Sequence, residues 1–307
     1  MRLLLLCGVV TTLGACSAGD EAREAVCSPP AAGVVSVPAG EFLIGTNARY
    51  TEEGPARTVR TDGFWIDAFE VTNAQFGRFV AETGYVTLAE RTPDPADHPE
   101  IDPDLLTPGS AVFGVDVRQG GFWWSFVPGA HWRAPHGPGS TIEGMGAYPV
   151  VHVTFEDAAA YAAWAGGRLP NEAEWEIVAR GGLQNAEFAW GDEFRPDGQW
   201  RANTWQGPFP ALDVGDDGHA GLAPVGCYEA TGYGVYDIAG NVWEWTSSPF
   251  DDTGSAGVIR GGSFLCAPSY CVRYRPPARQ PQEWDFSSSH IGFRVVYDSE
   301  PATGEAP

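Results

Sequence analysis

The sequence predicts an α+β domain, rich in loops and low in regular secondary structure, and three observations lead there. Thirty-nine Gly and twenty-five Pro in 307 residues interrupt nearly every run long enough to propagate a helix or strand. Short alternating stretches at the N-terminal end read as strands, and three short segments with N-cap signals read as helices. With 43% hydrophobic residues and twelve Trp, the chain has ample material to bury a core despite its irregularity.

The first fifteen residues carry one charge at Arg2, a short apolar run and small residues before Cys16, the pattern of an export signal and not of a membrane span. Leu13-Gly14-Ala15-Cys16 resembles the lipobox of bacterial lipoproteins, which implies cleavage before Cys16 and lipidation of its sulfur. The expected organisation is a lipoprotein signal peptide over 1–15, a lipid-anchored tether over 16–33, the folded domain over 34–298 and a disordered tail over 299–307. That places an exported, membrane-anchored protein facing the periplasm or the cell exterior, touching the membrane by its lipid alone. With 18 Lys and Arg against 40 Asp and Glu, the net charge of -22 argues against nucleic acid or anionic lipid as the main partner. A basic peptide or a divalent cation suits it better, although most of the carboxylates serve a solubilising surface.

Val35 to Gly45 alternates into a glycine and Phe64 to Val71 alternates again, so both read as strands. Thr72 or Asn73 caps a helix over 74–82 with Phe76, Phe79 and Val80 on one face and Gly84 at its end. Residues 87–150 show no steady period and read as long packed loops. Within them, His131 and His136 are separated by Pro135 and form no metal pattern. Pro149 to Thr154 reads as a strand running into a capping box of Thr154 with Asp157, which opens a helix from Phe155 to Ala165. A second box, Asn171 with Glu174, opens a helix that Gly181-Gly182 closes.

Six cysteines reduce to four once Cys7 leaves with the signal and Cys16 carries lipid. Cys27 and Cys227 can pair with each other or stay free. Cys266 and Cys271 stand five positions apart, too far for a CxxC turn, yet a bent loop can turn both sulfurs towards one soft metal ion. A local disulfide, or two inert core thiols, is the competing reading.

The ordered motifs Trp164 to Trp175, Ala202 to Gly207, Gly240-Asn-Val-Trp-Glu-Trp245, Arg260-Gly-Gly-Ser263 and Gly292-Phe-Arg294 resemble the formylglycine-generating enzyme family of sulfatase-modifying factors. The resemblance implies that family's fold, a variant of the C-type lectin-like type, and the cysteine pair matches the copper-binding pair of its catalytic members. Relatives that share only the fold usually lack the pair. By this resemblance Cys266 and Cys271 hold Cu(I), Ser263 and Trp243 line an oxygen pocket, and Tyr270 shapes it. Arg273, Arg279 and His290 are implied on the substrate side. His290 stands where catalytic members commonly have Asn, and each arginine can equally be a structural ion-pair partner.

Two calcium sites are implied as well. One takes Asn203 and Asp217 side chains with Thr204 and His219 carbonyls; the other takes Asp237 and Glu244 with Gly240 and Val242 carbonyls. The two structural disulfides of animal members fall on Ala162, Ala179, Pro276 and Val295 here, so both are absent. The implied activity is O2-dependent conversion of a cysteine in a sulfatase-type Cys-x-Pro-x-Arg segment to Cα-formylglycine by a monomer. A non-catalytic envelope binding module of the same fold and a non-haem iron oxygenase relative are the alternatives.

Overall fold

A computed structural model describes residue 27, residues 33–96, 99, 102–103, 106–114 and 123–301. The signal peptide, Cys16 and nearly all of the tether lie outside these residues, as does most of the tail. No helix among the described residues is long and apolar enough to cross a membrane.

Pro38 and Ala39 split the first predicted strand into β1 (Val34–Val37) and β2 (Gly40–Ile44), which join different sheets. β2 pairs with β3 (Arg57–Thr61), a strand that the sequence hides because its residues are charged, polar and largely exposed. β1 pairs antiparallel with β4 (Phe64–Asp67), which ends four residues short of Val71.

The three predicted helices form as their end signals dictate. α1 (Asn73–Thr83) starts at Thr72, whose side chain accepts the Gln75 N–H, and ends at Gly84 with φ 70°. α2 (Phe155–Trp164) and α3 (Glu172–Arg180) open on the Thr154/Asp157 and Asn171/Glu174 capping boxes. Phe76 and Phe79 of α1 pack on Tyr161 of α2 with ring centroids 5.8 and 5.6 Å apart, and Trp132 and Phe293 close the cluster. Each such pair contributes about 0.5–1.5 kcal/mol beyond its burial.

Two expectations are corrected. Residues 87–150 are not loops alone, because β5 (Gly109–Phe113) and β6 (Trp124–Pro128) form an antiparallel ladder. Pro149–Thr154 is not a strand: His152 sits at φ 61°, outside the extended region, and only single backbone bonds tie the segment to Val71 and Ser288. The C-terminal half supplies β7 (Trp243–Pro249), β8 (Gly257–Arg260), β9 (Arg279–Gln282), β10 (Ile291–Gly292) and β11 (Val296–Tyr297). The four-stranded sheet runs β10-β7-β8-β9 and the three-stranded sheet β1-β4-β11. Tight burial on β7 and β8 erases the two-residue period that would have announced them.

Between these short elements, buried ion pairs fix the loops. Arg275 is 1% exposed; it pairs with Glu53 and donates Nε–H to the Val272 carbonyl, next to Cys271. Removing one partner of such a pair strands a buried charge, which costs about 3–5 kcal/mol. Arg275→Ala is therefore expected to lose stability of that order in urea unfolding near neutral pH, and a loss under 1 kcal/mol would show that the pair is dispensable.

Candidate active site

Two successive tight turns shape the stretch after Arg260. Cys266 N–H donates to the Ser263 carbonyl at 2.9 Å, and Tyr270 and Cys271 N–H both donate to the Ala267 carbonyl at 3.1 Å. The chain doubles back, and the two sulfurs meet as a Cys266–Cys271 disulfide. Gly262 is required at the entrance: its φ is 73°, and a Cβ there would lie 3.2 Å from Cys266 Sγ and 3.1 Å from Tyr274 N.

Both cysteines face a cavity of about 210 Å³ that also receives Ser263, Trp243, Tyr270, Arg273 and His290. Ser263 is fully buried and its Oγ accepts the Leu265 N–H at 3.2 Å. Tyr270 is 52% exposed at the rim, stacked on Phe209 with centroids 4.1 Å apart. Arg273 is held by Glu52 at 2.8 Å and lies over the Tyr50 ring. His290 Nδ1 shares a hydrogen bond with Ser288 Oγ at 2.7 Å, and its ring lies 4.6 Å from Trp124. Burial, and then the nearby His152, drive the His290 pKa down to about 3, so its imidazole is neutral near pH 7.

Arg279 does not reach the cavity. Its guanidinium pairs with Glu172 at 2.6 Å and donates to the Phe250 carbonyl, an ion-pair role in the frame. Sequence reasoning missed Phe113, Trp124, Phe209, Leu265 and Gln280, which complete the lining. Trp124 belonged to an evident aromatic cluster, but nothing local connects residue 124 to residue 266; the β5–β6 ladder and the 205–209 turn make that connection.

In the acidic turn, backbone N–H groups of the predicted residues meet Asp217. Thr204 N–H and His219 N–H donate to the two carboxylate oxygens of Asp217 at 2.9 and 3.0 Å, and Gln206 Nε2 contacts both Asp217 Oδ2 and the Thr204 carbonyl. Asn203 is fully buried, yet its Oδ1 has no hydrogen-bond partner. In the second set, Asp237 Oδ2 accepts the Gly226 N–H while Oδ1 is buried without a partner. Glu244 receives Arg294 on both oxygens and Trp175 on Oε2, and each oxygen has two lone pairs, which leaves Oε1 one to spare. Asp237 and Glu244 surround the buried Glu70 with Arg294, so three carboxylates face one guanidinium. Burial first, with Glu244 adding to it against the pull of Arg294, raises the Asp237 pKa to about 7.

A loop-built α+β domain holding a cysteine pair in a cavity of aromatic and polar side chains is thus the class that fold and site define. The fold matches the structure of PvdO from Pseudomonas aeruginosa, with a TM-score of 0.56 at 23% identity over 87% of this chain and 94% of that one. The family model described as "Sulfatase-modifying factor enzyme 1-like domain" matches residues 20–299. A formylglycine-generating enzyme from Mycobacterium tuberculosis is 46% identical over 298 residues, 88% of this chain and 99% of that protein. An inactive Cα-formylglycine-generating enzyme 2 from Mus musculus is 41% identical over 86% of this chain and 85% of that protein. The chain belongs to the formylglycine-generating enzyme family of sulfatase-modifying factors.

The two arginines separate by a thiol measurement. With the cysteine pair reduced, Arg273→Ala is expected to slow iodoacetamide alkylation of Cys266 and Cys271 near pH 7, because it removes a cation that favours thiolate. Arg279→Ala is expected to leave that rate unchanged and to lower the melting temperature. Equal alkylation rates for both variants would remove Arg273 from the site.

Proposed function

We propose that the chain is a copper-dependent oxidase that uses O2 to convert the cysteine of a Cys-x-Pro-x-Arg segment to Cα-formylglycine, activating sulfatases. The observation that carries this reading is the pairing of Cys266 and Cys271 at one cavity, within a chain so similar to enzymes named for formylglycine generation. Two adjacent sulfurs form a donor set that fits a soft ion of low coordination number once the bridge is reduced. Cu(I) held by these thiolates would supply the redox chemistry with oxygen.

The remaining work falls to the protein. Trp243, Phe113 and Trp124 supply the apolar part of the lining and exclude water from the substrate thiol there. Ser263 offers a buried hydroxyl beside the sulfurs, and neutral His290 adds polarity without charge. At the rim, the exposed ring of Tyr270 gives an extended peptide a flat apolar surface, and Arg273 places a positive charge where a substrate thiolate enters. Among the described residues, the lining has one histidine and no carboxylate, which favours the thiolate reading over a His/carboxylate iron oxygenase. A binding module of the same fold stays as the second reading, because an inactive relative is nearly as similar. The unpartnered Asn203 Oδ1 and Asp237 Oδ1 are hard donors that fit calcium at the two oxygen-lined sites, and the excess of buried carboxylate around Glu70 calls for a cation.

Mass spectrometry of a Cys-x-Pro-x-Arg peptide incubated with reduced, Cu(I)-loaded protein and O2 is expected to show thiol-to-aldehyde conversion. Cys266→Ser or Cys271→Ser should lower it to below about one-thousandth. No conversion by the loaded wild-type protein would favour the binding module. Calcium makes a pH-dependent prediction. With its folded pKa raised to about 7 from 3.8, Asp237 lends stability that is full below about pH 4 and lost as pH rises towards 7. Bound calcium removes that loss, so the rise in melting temperature on adding calcium is expected to be larger at about pH 8 than at about pH 5, and larger in wild type than in Asp237→Ala. The opposite pH trend would exclude calcium at this carboxylate.

A further inference from the structure

One side-chain cluster lies outside the cavity and shares only His219, through its backbone, with the oxygen-lined acidic turn. Cys27, just ahead of the domain, is joined to Cys227 across 200 residues, and His219 turns its ring towards them. Cys27 Sγ lies 3.8 Å from His219 Nε2, and the two sulfurs and a ring nitrogen all lie within 4.8 Å of one another. A covalent clasp alone needs no imidazole beside its sulfurs.

We propose that reduction of this bridge converts Cys27, Cys227 and His219 into a second metal site, separate from Cys266 and Cys271, that takes Zn(II). Zn–S bonds of about 2.3 Å and Zn–N bonds of about 2.0 Å at tetrahedral angles put sulfur about 3.8 Å from sulfur and about 3.5 Å from nitrogen. The observed sulfur-to-nitrogen separation already has that size, so the sulfurs need only part from each other. Cys27 is half-buried at the edge of a small cluster with Ala223, Tyr228 and Trp200, and three protein ligands leave the fourth tetrahedral position to water.

His219 is well placed for this role. Its backbone N–H is fixed on Asp217 Oδ1, and its ring meets Tyr228, whose hydroxyl reaches the Asp217 carbonyl, so the turn holds the imidazole towards the sulfurs. Two thiolates and an imidazole suit a borderline d10 ion and are poor ligands for calcium. The balance is simple. A dithiol reductant delivers two electrons and two protons to the S–S bond and leaves as its own cyclic disulfide; one Zn(II) then displaces the two thiol protons. Oxidised, the three residues are a clasp without metal; reduced, they are a zinc site that still ties residue 27 to the 213–228 loop.

The test uses the full chain carrying Cys7→Ser, Cys16→Ser, Cys266→Ser and Cys271→Ser, so that only this pair is available, with calcium present to occupy oxygen sites. After dithiothreitol treatment and anaerobic removal of the reductant, titration with Co(II) is expected to give one equivalent of tetrahedral complex with a thiolate charge-transfer band. Zn(II) should displace it and protect Cys27 and Cys227 from alkylation. The unreduced protein should bind none. Adding Cys27→Ser should abolish the tetrahedral spectrum, and adding His219→Ala should weaken Zn(II) binding by at least about tenfold, with circular dichroism confirming the fold of each variant. No stoichiometric complex after reduction, Zn(II) affinity unchanged in His219→Ala, or binding of Cu(I) but not Zn(II) would each overturn the assignment. If reduction unfolds the chain, refolding on adding Zn(II) supports the site, and failure to refold overturns it.

Discussion

The guanidinium of Arg260 closes the excursion that carries both cavity cysteines, and the geometry of the site depends on it. Arg260 is 1% exposed at the end of β8; it reaches Glu172 at 2.9 Å and Glu176 at 2.7 Å on α3, and donates to the carbonyls of Pro276 and Pro277. One side chain thus ties the start of the 261–277 segment to its end, and both to a helix. Its Nε has no hydrogen-bond partner and the group packs near Trp175, so the anchor works through its two terminal nitrogens. Such a pair would be no more stabilising than a well-packed apolar cluster, but its directionality fixes a loop that has no ladder to fix it.

The same device recurs around the cysteine loop and the strands beside it. Arg275 with Glu53 holds the far side of the cysteine loop, Arg180 with Glu176 shares the carboxylate that Arg260 uses, and Arg294 with Glu244 secures the β7 end beside Trp175. A cavity of mixed aromatic and polar lining can then sit within an acidic protein, because the frame absorbs the buried charge. Where carboxylates outnumber guanidinium groups, around Glu70 and Asp237, burial and mutual repulsion raise their pKa values.

The helices were legible because their signals are local. Thr72, Thr154 and Asn171 each cap within three residues, and Gly84 and Gly181 each stop a helix in the left-handed region. The strands were less so. β3 is too polar, β7 and β8 are too buried, and β5 pairs with β6 across a gap that no short turn announces. His152 defeats the strand reading by a single backbone angle that no neighbouring residue foretells.

By itself, the sequence determined the helices, the family and the motif residues that reach the cavity, since caps and contiguous motifs act over a few positions. Cys266 and Cys271 were found that way, and so were Ser263, Trp243, Tyr270 and His290. Tertiary structure alone decided which arginine faces the cavity and which aromatic residues wall it, because Arg279 and Glu172, or Trp124 and His290, meet only through sheet pairing over long separations. It also decided that Cys27 joins Cys227 beside His219. A bond spanning 200 residues leaves no local trace in the chain that makes it.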